Sequence, residues 1–172
     1  MQNNNDFGSI LDDYGESLLR LAFTYVKSYQ TAEDIVQDVF MRAYEKRADF
    51  RGEASYKTYL YRMTINRSHD YLRSWHYKNT LLTNRIAETI HRASSTEALI
   101  VTKSEEDQLG KKVLELPVKY REVLVLYYYA DYTIDEIAEI LDCRTTTIKT
   151  RLRRARQRMK EKLKAKEVFL NG

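Results

Sequence analysis

The stretch Tyr132–Met159, YTIDEIAEILDCRTTTIKTRLRRARQRM, decides how the rest of the chain reads. Ile134, Ile137, Ala138 and Leu141 stand at i, i+3, i+4 and i+7, the spacing of one buried helix face. Thr133 precedes that run and Glu136 follows three residues later, a capping-box spacing that marks the helix start. Asp142-Cys143-Arg144 then interrupts the pattern, and Ile148, Leu152, Ala155 and Met159 resume it at a new phase. Two amphipathic helices around a tight break, the second one basic, make a helix-turn-helix.

The second of these helices carries the chemistry. With Ile148, Leu152 and Ala155 turned inward, Lys149, Thr150, Arg153, Arg154 and Gln157 face outward. Behind them come Arg156, Arg158, Lys160, Lys162, Lys164 and Lys166. A recognition helix lays its leading half in the major groove, where Arg or Lys donates to guanine and Thr meets a thymine methyl. The trailing cations suit phosphates, which position a protein without reporting sequence. A solvated basic helix end would also be cationic. The capped helix just upstream favours the DNA reading.

The remaining composition fits an all-α chain. It has 172 residues, room for one ordinary domain or two small ones, with a single Pro and five Gly to punctuate strands and turns. Net charge is +4, and the last third holds most of the positive excess, which points to nucleic acid. The one cysteine, Cys143, excludes an internal disulfide or a cysteine-rich zinc site and fits a reducing cytoplasm. No apolar run approaches membrane-spanning length, and the polar start MQNNNDFGS does not read as a signal peptide.

Upstream, the periodicity predicts a helix over about 7–27, with Ile10, Leu11, Tyr14, Leu18, Leu21, Ala22 and Tyr25 on its apolar side. Tyr29-Gln30 reads as a turn, and Thr31-Ala32-Glu33-Asp34 as the capping box of a second helix. Ile35, Val36, Val39, Phe40, Ala43 and Tyr44 give that helix its stripe, opposite a polar face that includes Asp34, Gln37, Asp38 and Arg42. The third segment, from Ser55 to Lys78, interleaves Tyr56, Tyr59, Tyr61, Tyr71, Trp75 and Tyr77 with five cations. Bases stack on rings while cations hold a backbone, so the cluster suits a single strand, although several rings serve equally as core. Leu60, Met63, Thr64, Arg67, Tyr71 and Leu72 are its expected buried side. Residues 79–106 read as a linker, and Pro117 breaks a helix before the apolar run Tyr120–Tyr129, expected to pack on the helix-turn-helix.

Three motifs in order resemble one family: AEDIVQDVFMRAY (32–44), FRGEASYKTYLYRMTINRSHDYLR (50–73), and LPVKYREVLVLYYY with IDEIAEILDCRTTTIKTRLRRAR (116–156). They look like a bacterial RNA polymerase sigma factor of the extracytoplasmic-function group of the sigma-70 family. The resemblance implies two helical domains, region 2 over 1–78 and region 4 over 107–168, joined by the 79–106 linker. It implies a core-polymerase docking face at Asp34, Gln37 and Asp38, meeting the clamp helices. It places Arg42, Lys46, Tyr59, Arg62 and Asn66, with Phe50 and the loop Arg51-Gly52-Glu53-Ala54-Ser55, at the −10 element, handling a base flipped from the non-template strand. It makes Arg144, Thr146, Thr147, Lys149, Thr150, Arg153 and Arg154 the −35 contacts. Such factors work in the cytoplasm, use no cofactor, and are usually held inactive by an anti-sigma partner that is often membrane-anchored.

Two positions depart from the family pattern. Tyr59 stands where Trp is common, which weakens stacking there. Arg144 stands where Ser or Pro is usual; it cannot accept a capping bond, so Thr145 is expected to cap the second helix. Two other classes remain to be weighed. An ordinary helix-turn-helix regulator leaves the polar helix and the aromatic segment without a task. A nucleic-acid enzyme would use Glu53 or His69-Asp70 as acid–base groups, but adjacent helical residues point apart, and no metal-ligand cluster, nucleophile motif or phosphate loop accompanies them.

Overall fold

The computed structural model describes residues 4–47, 55–83 and 105–170, with no strand among the described residues. Its helices are α1 (Asn4–Val26), α2 (Tyr29–Glu45), α3 (Tyr56–Thr83), α4 (Glu105–Leu114), α5 (Val118–Leu124), α6 (Ile134–Ile140) and α7 (Thr145–Leu170). A π-helical turn, Val125–Tyr129, continues α5. The chain divides into two compact units, Met1–Val101 and Thr102–Gly172. Residues 84–104, most of the expected linker, lie outside the described residues, and α3 runs on to Thr83.

In the first unit α1, α2 and α3 pack on one another. Leu18, Leu21, Ala22 and Tyr25 of α1 meet Ile35, Val36, Val39, Phe40 and Ala43 of α2 in a core, while Leu11 stays 42% exposed. The passage between α1 and α2 differs from the expected turn and box. Lys27 takes a left-handed backbone (φ 57°) that ends α1, and its amide bonds the Phe23 carbonyl at 2.9 Å. Ser28 is then extended and caps α2, its hydroxyl accepting the Thr31 amide at 3.4 Å. Tyr29 and Gln30 therefore form the first helical turn, and Thr31 donates its hydroxyl to Ser28.

The buried side of α3 is Leu60, Tyr61, Thr64, Ile65 and Ser68, a phase rotated from the expected one, which leaves Tyr71 38% exposed. Thr64 and Ser68 enter the core because their hydroxyls bond the Leu60 and Thr64 carbonyls at 2.9 and 2.8 Å. Polar residues satisfied by their own helix are invisible to a count of apolar positions.

In the second unit α5 and α6 both pack on α7, and α4 lies against α7. The capping box at Thr133 is present: its hydroxyl accepts the Glu136 amide at 3.3 Å, and the Glu136 carboxylate accepts the Thr133 amide at 2.8 Å. The end of α6 is a Schellman turn. Asp142 is left-handed (φ 47°), the Cys143 amide bonds Ala138 O at 3.0 Å, and the Asp142 amide reaches Glu139 O at 3.4 Å. The chain is thereby turned into α7 within four residues. Thr145 does not cap α7. The Arg144 carbonyl accepts the Thr147 and Ile148 amides at 2.8 and 3.2 Å, and the Thr145 hydroxyl bonds Asp135, tying the two helices together.

Two stability outcomes follow from this packing. Leu152→Ala should cost about 2–5 kcal/mol in denaturant unfolding of the second unit, because Leu152 is 2% exposed. Asp142→Val should cost about 1–2 kcal/mol through its left-handed backbone, while Asp142→Gly should not.

Candidate nucleic-acid interface

The buried stripe of α7 sorts its remaining side chains. Ile148, Leu152, Ala155 and Met159 are each no more than 8% exposed, and Arg144, Thr146, Lys149, Thr150, Arg153, Arg154 and Gln157 all lie on the exposed side. Thr147 is half-buried. The Thr150 hydroxyl donates to the Thr146 carbonyl at 2.9 Å, so its proton is spent on the helix and its methyl is held in one orientation. The predicted contacts of this helix are thus brought together on one face.

Arg151 differs from its exposed neighbours Arg153 and Arg154. Its Nη1 reaches the Glu122 carboxylate at 3.1 Å, and the Glu122 side chain is only 5% exposed. A carboxylate so buried needs its cation, so Arg151 serves the fold. Next to it, Arg121 is 3% exposed and donates to the Leu114 carbonyl at 2.8 Å, closing the end of α4. Cys143 is half-buried beside this cluster; burial pushes its thiol up, with Arg151 opposing and Glu122 and Asp142 adding. Further along α7, Arg156 donates to the Tyr128 hydroxyl at 2.8 Å and lies 5.5 Å from the Tyr127 and Tyr128 ring centres. The π-helical turn brings that pair of rings to α7, a register no apolar count predicts.

In the first unit, Asp34 and Gln37 are exposed on α2. Asp38 is not presented in the same way. Its carboxylate receives Arg42 Nε at 3.0 Å and Arg67 Nε at 2.5 Å, a bridge from α2 to α3. Arg67, expected above among the segment's cations and on its buried side, reaches across from α3 to Asp38 of α2. Lys46 is exposed at the end of α2. Tyr59, Arg62 and Asn66 follow at i, i+3 and i+7 along one face of α3; Arg62 and Asn66 are exposed and Tyr59 half-buried, tilted against Tyr56 at 5.9 Å. Ser55 starts α3, its hydroxyl accepting the Thr58 amide at 3.1 Å. Phe50, Arg51, Gly52, Glu53 and Ala54 lie outside the described residues.

Set beside known proteins, residues 10–76 match the family model for sigma-70 region 2, and residues 106–159 match that for sigma-70 region 4. The RNA polymerase sigma factor SigV of Bacillus subtilis strain 168 is 30% identical over 92% of this chain and 91% of its own length. The extracytoplasmic-function factor SigM of the same organism is 31% identical over 86% of this chain and 88% of its own. The chain belongs to the sigma-70 family, in its extracytoplasmic-function group. The factor is therefore a DNA-binding regulator that directs promoter-specific transcription initiation. Its fold is similar to that of the sigma factor RpoE of Bartonella quintana, solved with the anti-sigma factor NepR, at a TM-score of 0.71 and 25% identity over 92% of this chain and 97% of that one. The two matched regions fall in the two compact units, so each unit corresponds to one sigma region.

Two ion pairs of the region 4 unit should behave differently. Glu122→Ala strands Arg151 and should cost about 3 kcal/mol in unfolding free energy. Glu115→Ala removes the exposed pair with Lys162 and should cost less than about 1 kcal/mol.

Proposed function

We propose that this sigma factor divides its work between three surfaces. The exposed Asp34 and Gln37 of α2, steadied by the Asp38 bridge, dock on the clamp helices of core RNA polymerase. Tyr59, Arg62 and Asn66 of α3, with Arg42, Lys46 and the loop from Phe50 to Ser55, engage the −10 element and a base flipped from the non-template strand. The outward face of α7 reads the −35 element in the major groove. The observation that carries this reading is the division of α7, with an apolar stripe buried on α5 and α6 and Lys149, Arg153 and Arg154 exposed opposite.

Chemistry belongs to polymerase in this scheme; the sigma factor forms and breaks no bond. A region 2 domain over 1–78 and a region 4 domain over 107–168, tethered through 79–106, gain affinity by effective concentration when both promoter elements are engaged. Among the described residues no helix is long and apolar enough to cross a membrane, and the factor works in the cytoplasm on this reading. The Bartonella quintana relative is bound by an anti-sigma factor, which supports an inhibitory partner of the same kind here. If that partner is membrane-anchored, it holds the factor at the inner face of the membrane.

The test is reconstitution. The full chain added to purified core polymerase should start transcription at a promoter bearing matched −35 and −10 elements, and scrambling either element should abolish the start. Duplex binding without any affinity for core would overturn the reading and leave an ordinary regulator.

A further inference from the structure

Two arginines from different helices meet at one oxygen of Asp38. Arg42 Nε lies 3.0 Å from Asp38 Oδ2 and 3.1 Å from Oδ1, and Arg67 Nε of α3 lies 2.5 Å from the same Oδ2. The three side chains are 33–48% exposed, so the cluster sits at the surface, on the seam between α2 and α3. One carboxylate facing two guanidiniums leaves an excess of positive charge there. Arg67 directly follows Asn66, at the α2 edge of the face on which Arg62 and Asn66 are exposed.

Guanidiniums repel one another, and the shared oxygen is what lets these two converge. An arginine fork donates to phosphate oxygens with the geometry it uses for a carboxylate. Two arginines converging on one oxyanion therefore make an anion site, and here the chain's own carboxylate fills it. Ion pairs this exposed are worth little and exchange readily. The Glu122–Arg151 pair, with its carboxylate 5% exposed, is not of that kind. The external oxyanion that fits the neighbourhood is a phosphate of the strand that Arg62 and Asn66 are proposed to engage.

The geometry points to Arg42 and Arg67 as a strand-phosphate site that Asp38 fills in the free factor and yields when the −10 strand is engaged. The inference rests on the reading of α3 as the −10 helix. It adds Arg67 to the strand contacts and gives Asp38 a second task. A phosphate that takes the two arginines releases the Asp38 carboxylate on the helix of Asp34 and Gln37, proposed to dock on polymerase. Strand and polymerase then each favour the binding of the other, and by linkage that coupling is reciprocal.

The experiment uses the full chain, free and as holoenzyme, with a single-stranded oligonucleotide of −10 non-template sequence and a scrambled one, over a range of salt. In the free chain Asp38→Asn should tighten strand binding by about three- to tenfold and steepen its salt dependence. Glu33→Gln removes the same charge from an exposed position of α2 and should change binding by less than about twofold. Arg67→Gln should cancel most of the gain in the Asp38→Asn background. In holoenzyme, Arg67→Gln alone should weaken strand binding by about threefold or more, equally across −10 base changes, as a phosphate contact does. A gain from Glu33→Gln as large as that from Asp38→Asn, or one that persists without Arg67, means that net charge acts and there is no site. An Arg67→Gln holoenzyme that binds the strand as the unaltered one does reduces the bridge to a brace between helices. If the unaltered holoenzyme binds the −10 and scrambled strands equally, the −10 reading itself falls, and the site with it.

Discussion

Ile148, Leu152, Ala155 and Met159 recur every three or four residues along α7, and burying them against α5 and α6 decides where every other side chain of that helix goes. The burial is apolar, worth about 1.5–3 kcal/mol for each large side chain, and it has no directional preference of its own. Direction comes from the connections. The Thr133 capping box starts α6, the left-handed Asp142 turns the chain, and Thr145 ties α7 back to Asp135. Together they set the rotation of α7 about its axis, and that rotation puts Lys149, Arg153 and Arg154 on the exposed side.

Within this frame the arginines of α7 are distinguished by what α5 offers them. The buried carboxylate of Glu122 pairs with Arg151 and ties that side chain, 29% exposed, to the fold. Arg153 and Arg154 stay exposed and keep their charge for the proposed contacts with DNA. Region 2 shows a comparable economy. Asp38 joins Arg42 to Arg67 and so couples the helix proposed to dock on polymerase to the helix proposed to meet the −10 strand. Its neighbours Asp34 and Gln37 remain exposed.

The helix-turn-helix was legible because its signals are local: apolar spacing, a cap three residues from its partner, and a run of cations. Family motifs extended that reading to the chain outside its N-terminal tip and linker. What escaped depends on backbone conformation or on contacts between distant residues. Ser28 caps α2 because Lys27 turns left-handed, and no side-chain pattern announces that. Ile65 and Ser68 enter the core of α3 because that helix is rotated, and the hydroxyl of Ser68 is satisfied internally. Among the residues of the interfaces, Glu122 was not singled out and the Asp38–Arg67 bridge was not foreseen; the partners lie on different helices, at separations only the fold brings together. The loop from Phe50 to Ala54 rests on the family motif alone.

Polymerase docking and promoter choice are proposed to reside on separate surfaces of one chain. One crossed measurement tests it most directly. Core affinity and −35 discrimination are both determined for a Gln37→Ala, Asp34→Ala variant and for a Lys149→Ala, Arg153→Ala variant. The account predicts that the first variant loses core affinity and keeps its −35 preference, while the second keeps core affinity and loses the preference. Equal losses of both properties in each folded variant would contradict it.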